Sequence, residues 1–294
     1  MPVAKANNID LWYETFGSKE NTPLLLIMGA CTQGILWPDE FCMELAKTGF
    51  FVIRYDHRDT GLSTCFNFET HPYNLYDMML DAVGLLDFLQ IKDVHVLGLS
   101  LGGVIAELLA VNYSKRVLSC TLIASSCDFR PMNLAYAGLP PEENTLSRTK
   151  DVYLQWIEKF TSQPPQTFED DLEFRLEGWR ILNGSKISFE ESTYRKIHNE
   201  FIKRIKNRES LTNHLFVCRN SEATIKNIPQ EVRVPCLVLH GTEDPIFPPD
   251  HGQALADKIK NSRYHLIDGF GHVPNGYFYD FIIESVYNLA FKNR

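Results

Sequence analysis

Apolar and polar positions divide this chain into three stretches with different rhythms. Residues 9–15 alternate and carry Trp12 and Tyr13, which predicts an antiparallel strand near a sheet edge. Asn21-Thr22-Pro23 reads as a break. Residues 24–28, LLLIM, are continuously apolar, as a strand covered on both faces should be. Residues 37–48 have helical spacing, with Phe41, Leu45 and Ala46 on one face and Pro38 in the first turn. A strand over 51–55, a polar turn over 56–61 and a helix over 73–89 follow. That helix repeats Met78, Met79, Ala82, Leu85, Leu86 and Leu89 at helical intervals. Then come a strand over 94–99, a helix over 101–113 and a strand over 120–124.

Strand and helix alternating in this way predict a parallel sheet with helices on both faces. From about Asp128 to Arg233 the rhythm changes. Pro140-Pro141 and Pro164-Pro165 punctuate it, and charged helical segments occupy 150–160, 168–182 and 190–206 with no buried parallel strand between them. This reads as a helical cap (residues 128–233) inserted into a core made of residues 1–127 and 234–294. Strand rhythm resumes over 234–239 and 264–267, with helices over 250–260 and 279–292.

Composition narrows the classes. The chain has 294 residues, a formal net charge of -8 and 44% hydrophobic residues, enough for a sizeable core. It has no basic run to track phosphates, which argues against nucleic acid and anionic membrane surfaces. Its longest apolar runs are too short for membrane insertion, and MPVAKANNIDLWYE lacks a signal pattern. Seven Cys without a C-x-x-C read as buried free thiols, not a disulfide frame or metal site. A cytoplasmic monomer or homodimer is expected.

The candidate chemistry starts at Gly98-Leu99-Ser100-Leu101-Gly102, G-x-S-x-G between a strand and a helix. That is the context of a nucleophile elbow, with the helix N-terminus aimed at the Ser100 hydroxyl. A serine hydroxyl needs a base, and the base needs a third group to hold its tautomer. The loop after 234–239 reads His240-Gly241-Thr242-Glu243-Asp244-Pro245, and the loop after 264–267 reads Asp268-Gly269-Phe270-Gly271-His272. Asp244 is the expected orienting acid and His272 the general base; Glu243 and Asp128 are alternative carboxylates. His240 is expected to hydrogen-bond locally, and His57, among Asp56, Arg58 and Asp59, to brace its loop by an ion pair. The backbone N–H groups of Leu101 and Ala30 are the expected oxyanion donors. Trp156, Phe160, Trp179 and Phe189 are candidates for an apolar substrate pocket or, equally, for cap core, and Met28 and Val273 are further pocket candidates.

With LLLIMGA, WPDEF, VIRYDHRDTGLST followed by HPY, HVLGLSLGG, WRILNGS, EDPIFPPDHG and GFGHVP, the chain resembles the α/β-hydrolase superfamily, and within it the aclacinomycin methylesterase branch. The resemblance is strong over 24–127 and 233–275 and thin in the cap. It implies an α/β-hydrolase fold, with a mostly parallel eight-stranded sheet, helices on both faces and an inserted helical cap. It also implies ester hydrolysis without a cofactor, with Ser100, Asp244, His272, Leu101 and Ala30 in the roles reached above. Met28-Gly29 departs from the His-Gly pair of many superfamily members. The expected activity is therefore a serine esterase acting on a small-molecule ester. A C–C bond hydrolase or a proline iminopeptidase-like aminopeptidase is the alternative on the same scaffold, and a catalytically silent binding protein the alternative from another class.

Overall fold

The computed structural model describes residues 2–292. Residues 1, 293 and 294 of the expected core range lie outside the described residues. Eight strands form one sheet: β1 (Val3–Ala6), β2 (Ile9–Phe16), β3 (Thr22–Ile27), β4 (Phe50–Tyr55), β5 (Val94–Leu99), β6 (Val117–Ile123), β7 (Cys236–Gly241) and β8 (Arg263–Ile267). Their order is β1-β2-β4-β3-β5-β6-β7-β8. β2 is antiparallel to β1 and to β4, and every other pairing is parallel. The edge strand β1 escaped the sequence reading because four residues carry too little alternation to register. β3 runs through the expected break: Pro23 pairs beside Phe51 near the strand's start, where a missing N–H is tolerated.

Apolar runs and interior strands coincide. β4, β5 and β7 are buried at every position, whereas the edge strand β8 exposes Arg263, His265 and Leu266. Around the sheet lie α1 (Asp39–Lys47), α2 (Leu75–Phe88), α3 (Leu101–Asn112), α10 (Pro249–Lys258) and α11 (Tyr279–Phe291). Pro38 stands just before α1 as its N-cap instead of inside the first turn. α2 starts at a capping box in which Asn74 and Asp77 satisfy each other's backbone N–H groups.

Strand order decides where a site can form. β3 continues through α1 to β4 on one side, and β5 continues through α3 to β6 on the other. The chain therefore diverges beyond the carboxyl ends of β3 and β5, which opens a crevice at that switch point.

Between β6 and β7 the described residues form helices and no strand: α4 (Arg130–Tyr136), α5 (Asp151–Ser162), α6 (Phe168–Asn183), α7 (Glu191–Lys203), α8 (Asn213–Asn220) and α9 (Glu222–Asn227). The long three match the expected helices, although α7 stops before 206. The short α4, α8 and α9 were not anticipated, because so few turns leave no readable period. No described helix is long and apolar enough to cross a membrane.

Candidate active site

Ser100 lies at the crevice, between the end of β5 and the first residue of α3. Its backbone sits at φ 54°, ψ -119°, a conformation that a side-chain-bearing residue adopts only under strain. The strain is held from both sides: Ser100 N–H donates to Ile123 O (2.9 Å), and Ser125 Oγ donates to Ser100 O (2.9 Å). The turn also needs bare backbone. A Cβ on Gly98 would strike the Gly102 carbonyl, and one on Gly102 the Ile27 carbonyl. Leu101 opens α3, so its N–H has no intrahelical partner to donate to and lies at the positive end of the helix.

The loop after β3 comes close to the serine. A Cβ on Gly29 would stand 3.4 Å from Ser100 Cβ and 3.9 Å from Ser100 Oγ. Ala30, the next residue, therefore sits beside the elbow on the switch-point side.

Asp244, in the loop after β7, is fully buried. Its Oδ1 accepts the N–H groups of Ile246 (2.8 Å) and Phe247 (2.9 Å), and its Oδ2 accepts from His272 Nδ1 (2.8 Å). Burial pushes its pKa up, but the charge and hydrogen bond of His272, then His240, outweigh it and leave the carboxyl below its usual value. The alternative carboxylates are engaged elsewhere. Asp128 pairs with Arg130 (2.6 Å), and Glu243 accepts from Ser185 N–H (3.1 Å) and Oγ (2.7 Å). His240 bonds locally as expected, donating from Nε2 to Phe247 O (2.8 Å).

His272 has its Nδ1–H committed to Asp244, which leaves Nε2 as the basic nitrogen. Its N–H donates to Leu182 O (2.7 Å) at the end of α6. Gly271 packs so closely on Leu182 and Asn183 that a Cβ there would collide with both. Among the described residues no hydrogen bond joins Ser100 Oγ to His272 Nε2. Catalytic contacts of this kind are often long before substrate binds.

His57 departs from expectation. Among the described residues it makes no ion pair; its Nε2–H donates to Met28 O (2.8 Å) in the loop after β3. Burial, with His214 and Arg58 adding to it, lowers its pKa to about 3, so the ring is neutral. The neighbouring charges look elsewhere: Asp56 pairs with Arg204 (2.6 Å) and Arg58 with Asp81 (2.6 Å).

The pocket candidates divide. Met28 and Val273 are buried next to Gly29 and His272 in the chain. Trp156 stacks on Phe174 at 4.5 Å, donates from Nε1 to Phe174 O (3.0 Å) and covers Gly178, and Phe160 leans on the same ring at 5.1 Å. These two make the α5–α6 seam, and Phe160 is 40% exposed. Trp179 packs edge-on against His198 (4.9 Å), and Phe189 stacks on Tyr194 (5.5 Å). Sequence reasoning missed His214, whose ring reaches the loop after β3, because a lone histidine on a short helix carries no motif.

Comparison with known proteins agrees with the architecture. The profile of the α/β hydrolase fold matches residues 22–277. The chain is 35% identical over 280 residues to a rhodomycin D methylesterase of Streptomyces sp. (strain C5), covering 90% of each chain. It is 34% identical over 288 residues to that of Streptomyces peucetius, covering 92% of each. The enol-lactonase of Burkholderia xenovorans LB400 superposes with a TM-score of 0.75 at 21% identity, over 98% of this chain and 99% of its own. With its sheet order, its strained strand-to-helix serine and these matches, the chain belongs to the α/β-hydrolase fold family, as a relative of its methylesterases.

Proposed function

We propose that the protein is a carboxylic ester hydrolase that works through a Ser100-His272-Asp244 triad and an acyl-enzyme, with residues 128–233 as the cap over the site. The observation that carries this is the His272 Nδ1–Asp244 Oδ2 bond of 2.8 Å at the same sheet edge as the strained Ser100. His272 Nε2 takes the hydroxyl proton as Ser100 Oγ bonds to the ester carbonyl carbon. The negative charge that forms on the carbonyl oxygen is met by the N–H groups of Leu101 and Ala30. Collapse breaks the bond to the alcohol oxygen, which leaves with the proton from His272. Water, deprotonated by the same nitrogen, then releases the acid and restores Ser100. Asp244 keeps Nδ1 protonated throughout and stabilises the imidazolium. By analogy with the rhodomycin D methylesterases, the substrate is a methyl ester.

The test is hydrolysis of p-nitrophenyl and methyl esters by the wild type and by Ser100→Ala, with methanol release measured for the latter class. Turnover that falls about 10⁴-fold or more in the variant supports the serine esterase. Equal rates in both proteins overturn it.

A further inference from the structure

The loop after β3 is held at two of its residues by a pair of buried imidazoles that touch each other. Cys31, next to Ala30, has φ 61°, in the left-handed region that side-chain-bearing residues rarely occupy. Its N–H donates to Nδ1 of His214 (2.9 Å), a fully buried residue of α8 lying 183 positions along the chain. Nε2 of the same ring faces the Arg58 carbonyl oxygen at 2.9 Å. A carbonyl only accepts, so Nε2 carries the hydrogen and Nδ1 is the lone pair. That is the tautomer able to receive Cys31 N–H. Three residues earlier in the chain His57 Nε2–H holds Met28 O (2.8 Å), and the two rings meet edge to face at 5.5 Å. Thr32 Oγ1 donates to Gly29 O (2.7 Å), and Gln33 Nε2 donates to Phe201 O (2.8 Å) at the end of α7.

We propose that His214 is a positioning residue of the oxyanion hole: from the helical insert it holds Cys31 N–H and so aims the preceding Ala30 N–H at the substrate carbonyl oxygen. The proposal rests on the serine-esterase reading. It makes the insert part of the apparatus for stabilising the transition state, beyond covering the substrate. A strained backbone unit persists only where its surroundings over-determine it, and the imidazole is what fixes the Cys31 amide. Loss of that hold leaves ground-state binding in place and weakens the interaction that matters when charge develops.

The experiment compares wild type, His214→Phe, His214→Asn and His214→Gln, using kcat and KM for an ester substrate and Ki for a trifluoromethyl ketone. The ketone's hemiketal oxygen occupies the same hole. Asn keeps an acceptor where Nδ1 stood; Gln moves its polar end to the Nε2 position. Phe and Gln are expected to lower kcat by about 10- to 100-fold with KM within about threefold, and to weaken ketone binding in parallel. Asn is expected to recover about tenfold or more of the loss. Unchanged kcat and Ki in folded His214→Phe, a loss entirely in KM, or equal kcat in the Asn and Gln variants each overturn the proposal. The Asn–Gln comparison decides by itself if the Phe variant does not fold. Ser100→Ala separates the two ideas. If it retains wild-type turnover, the esterase reading falls; if it is inactive while the His214 variants are normal, only the positioning role falls.

Discussion

Asp244, fully buried, carries three hydrogen bonds: two backbone N–H groups on Oδ1 and the imidazole on Oδ2. Removing its charge without changing its shape isolates the tautomer function. Asp244→Asn is expected to lower kcat by about 10⁴-fold with a smaller change in KM, because an amide can present its N–H to His272 and favour the wrong tautomer. Steady-state kinetics on the folded variant check this. Motif and chain order point to Asp244, Ser100 and His272, and the structure joins the first and last of these by a hydrogen bond. His57 shows the opposite case. Its sequence neighbours are charged, yet the native contacts pair Asp56 with Arg204 and Arg58 with Asp81, so the imidazole is left neutral among backbone groups. Sequence adjacency carries no information about partners 148 and 23 positions away.

At the level of the element, α3 bears the tightest constraints. It is buried from Leu101 through Ala110, and a Cβ on Gly103 would press on Ser125. Two turns behind Ser100, Glu107 is fully buried, and neither carboxyl oxygen has a hydrogen-bond partner among the described residues. Burial, reinforced by Cys236, raises its pKa well above the ordinary carboxyl value. Glu107 therefore holds its proton to higher pH in the fold than in the unfolded chain, which releases it above about 4.5. The linked stability is present below that pH and is lost as pH rises toward the folded pKa, by about 1.4 kcal/mol per unit. Glu107→Gln, neutral at every pH, is expected to gain in stability relative to the wild type as pH rises between 5 and 9. Urea unfolding across that range checks it; parallel pH profiles would contradict the assignment.

Over the whole molecule the helical insert grips three loops of the candidate site. Leu182 O holds His272 N–H, and His214 holds Cys31 N–H. Thr149 Oγ1 and Lys150 N–H donate to Ile246 O (3.1 Å) and Pro245 O (2.8 Å) in the acid loop. The same contacts bury imidazoles. Desolvation lowers His57 and His198 to about 3 and His214 to about 4, and neither ring nitrogen of His198 has a partner among the described residues. Their folded pKa values lie below the ordinary 6.5, so the unfolded chain binds more protons in acid. The stability they contribute is complete above about pH 6.5 and is lost as pH falls toward 4. With about three protons taken up, the slope is roughly 4 kcal/mol per pH unit near pH 5. Tm should fall steeply from pH 7 to 5, and His198→Phe should remove about a third of the slope. A flat profile would mean these rings are charged in the fold.

Local pattern was sufficient for the sheet-and-helix core and for the sharp strand-to-helix turn at Ser100. Apolar runs, glycine pairs and strand ends are read within a few residues, and the chain's own connectivity puts successive parallel strands edge to edge. The short helices α4, α8 and α9, the packing of Trp156 and Phe160 on Phe174 at the α5–α6 seam, and the imidazoles that brace the loop after β3 were decided by tertiary structure alone. Each depends on which distant surface a side chain meets once the chain has folded. The free energy of those meetings comes from burial and from hydrogen bonds between residues with no neighbourhood in the sequence.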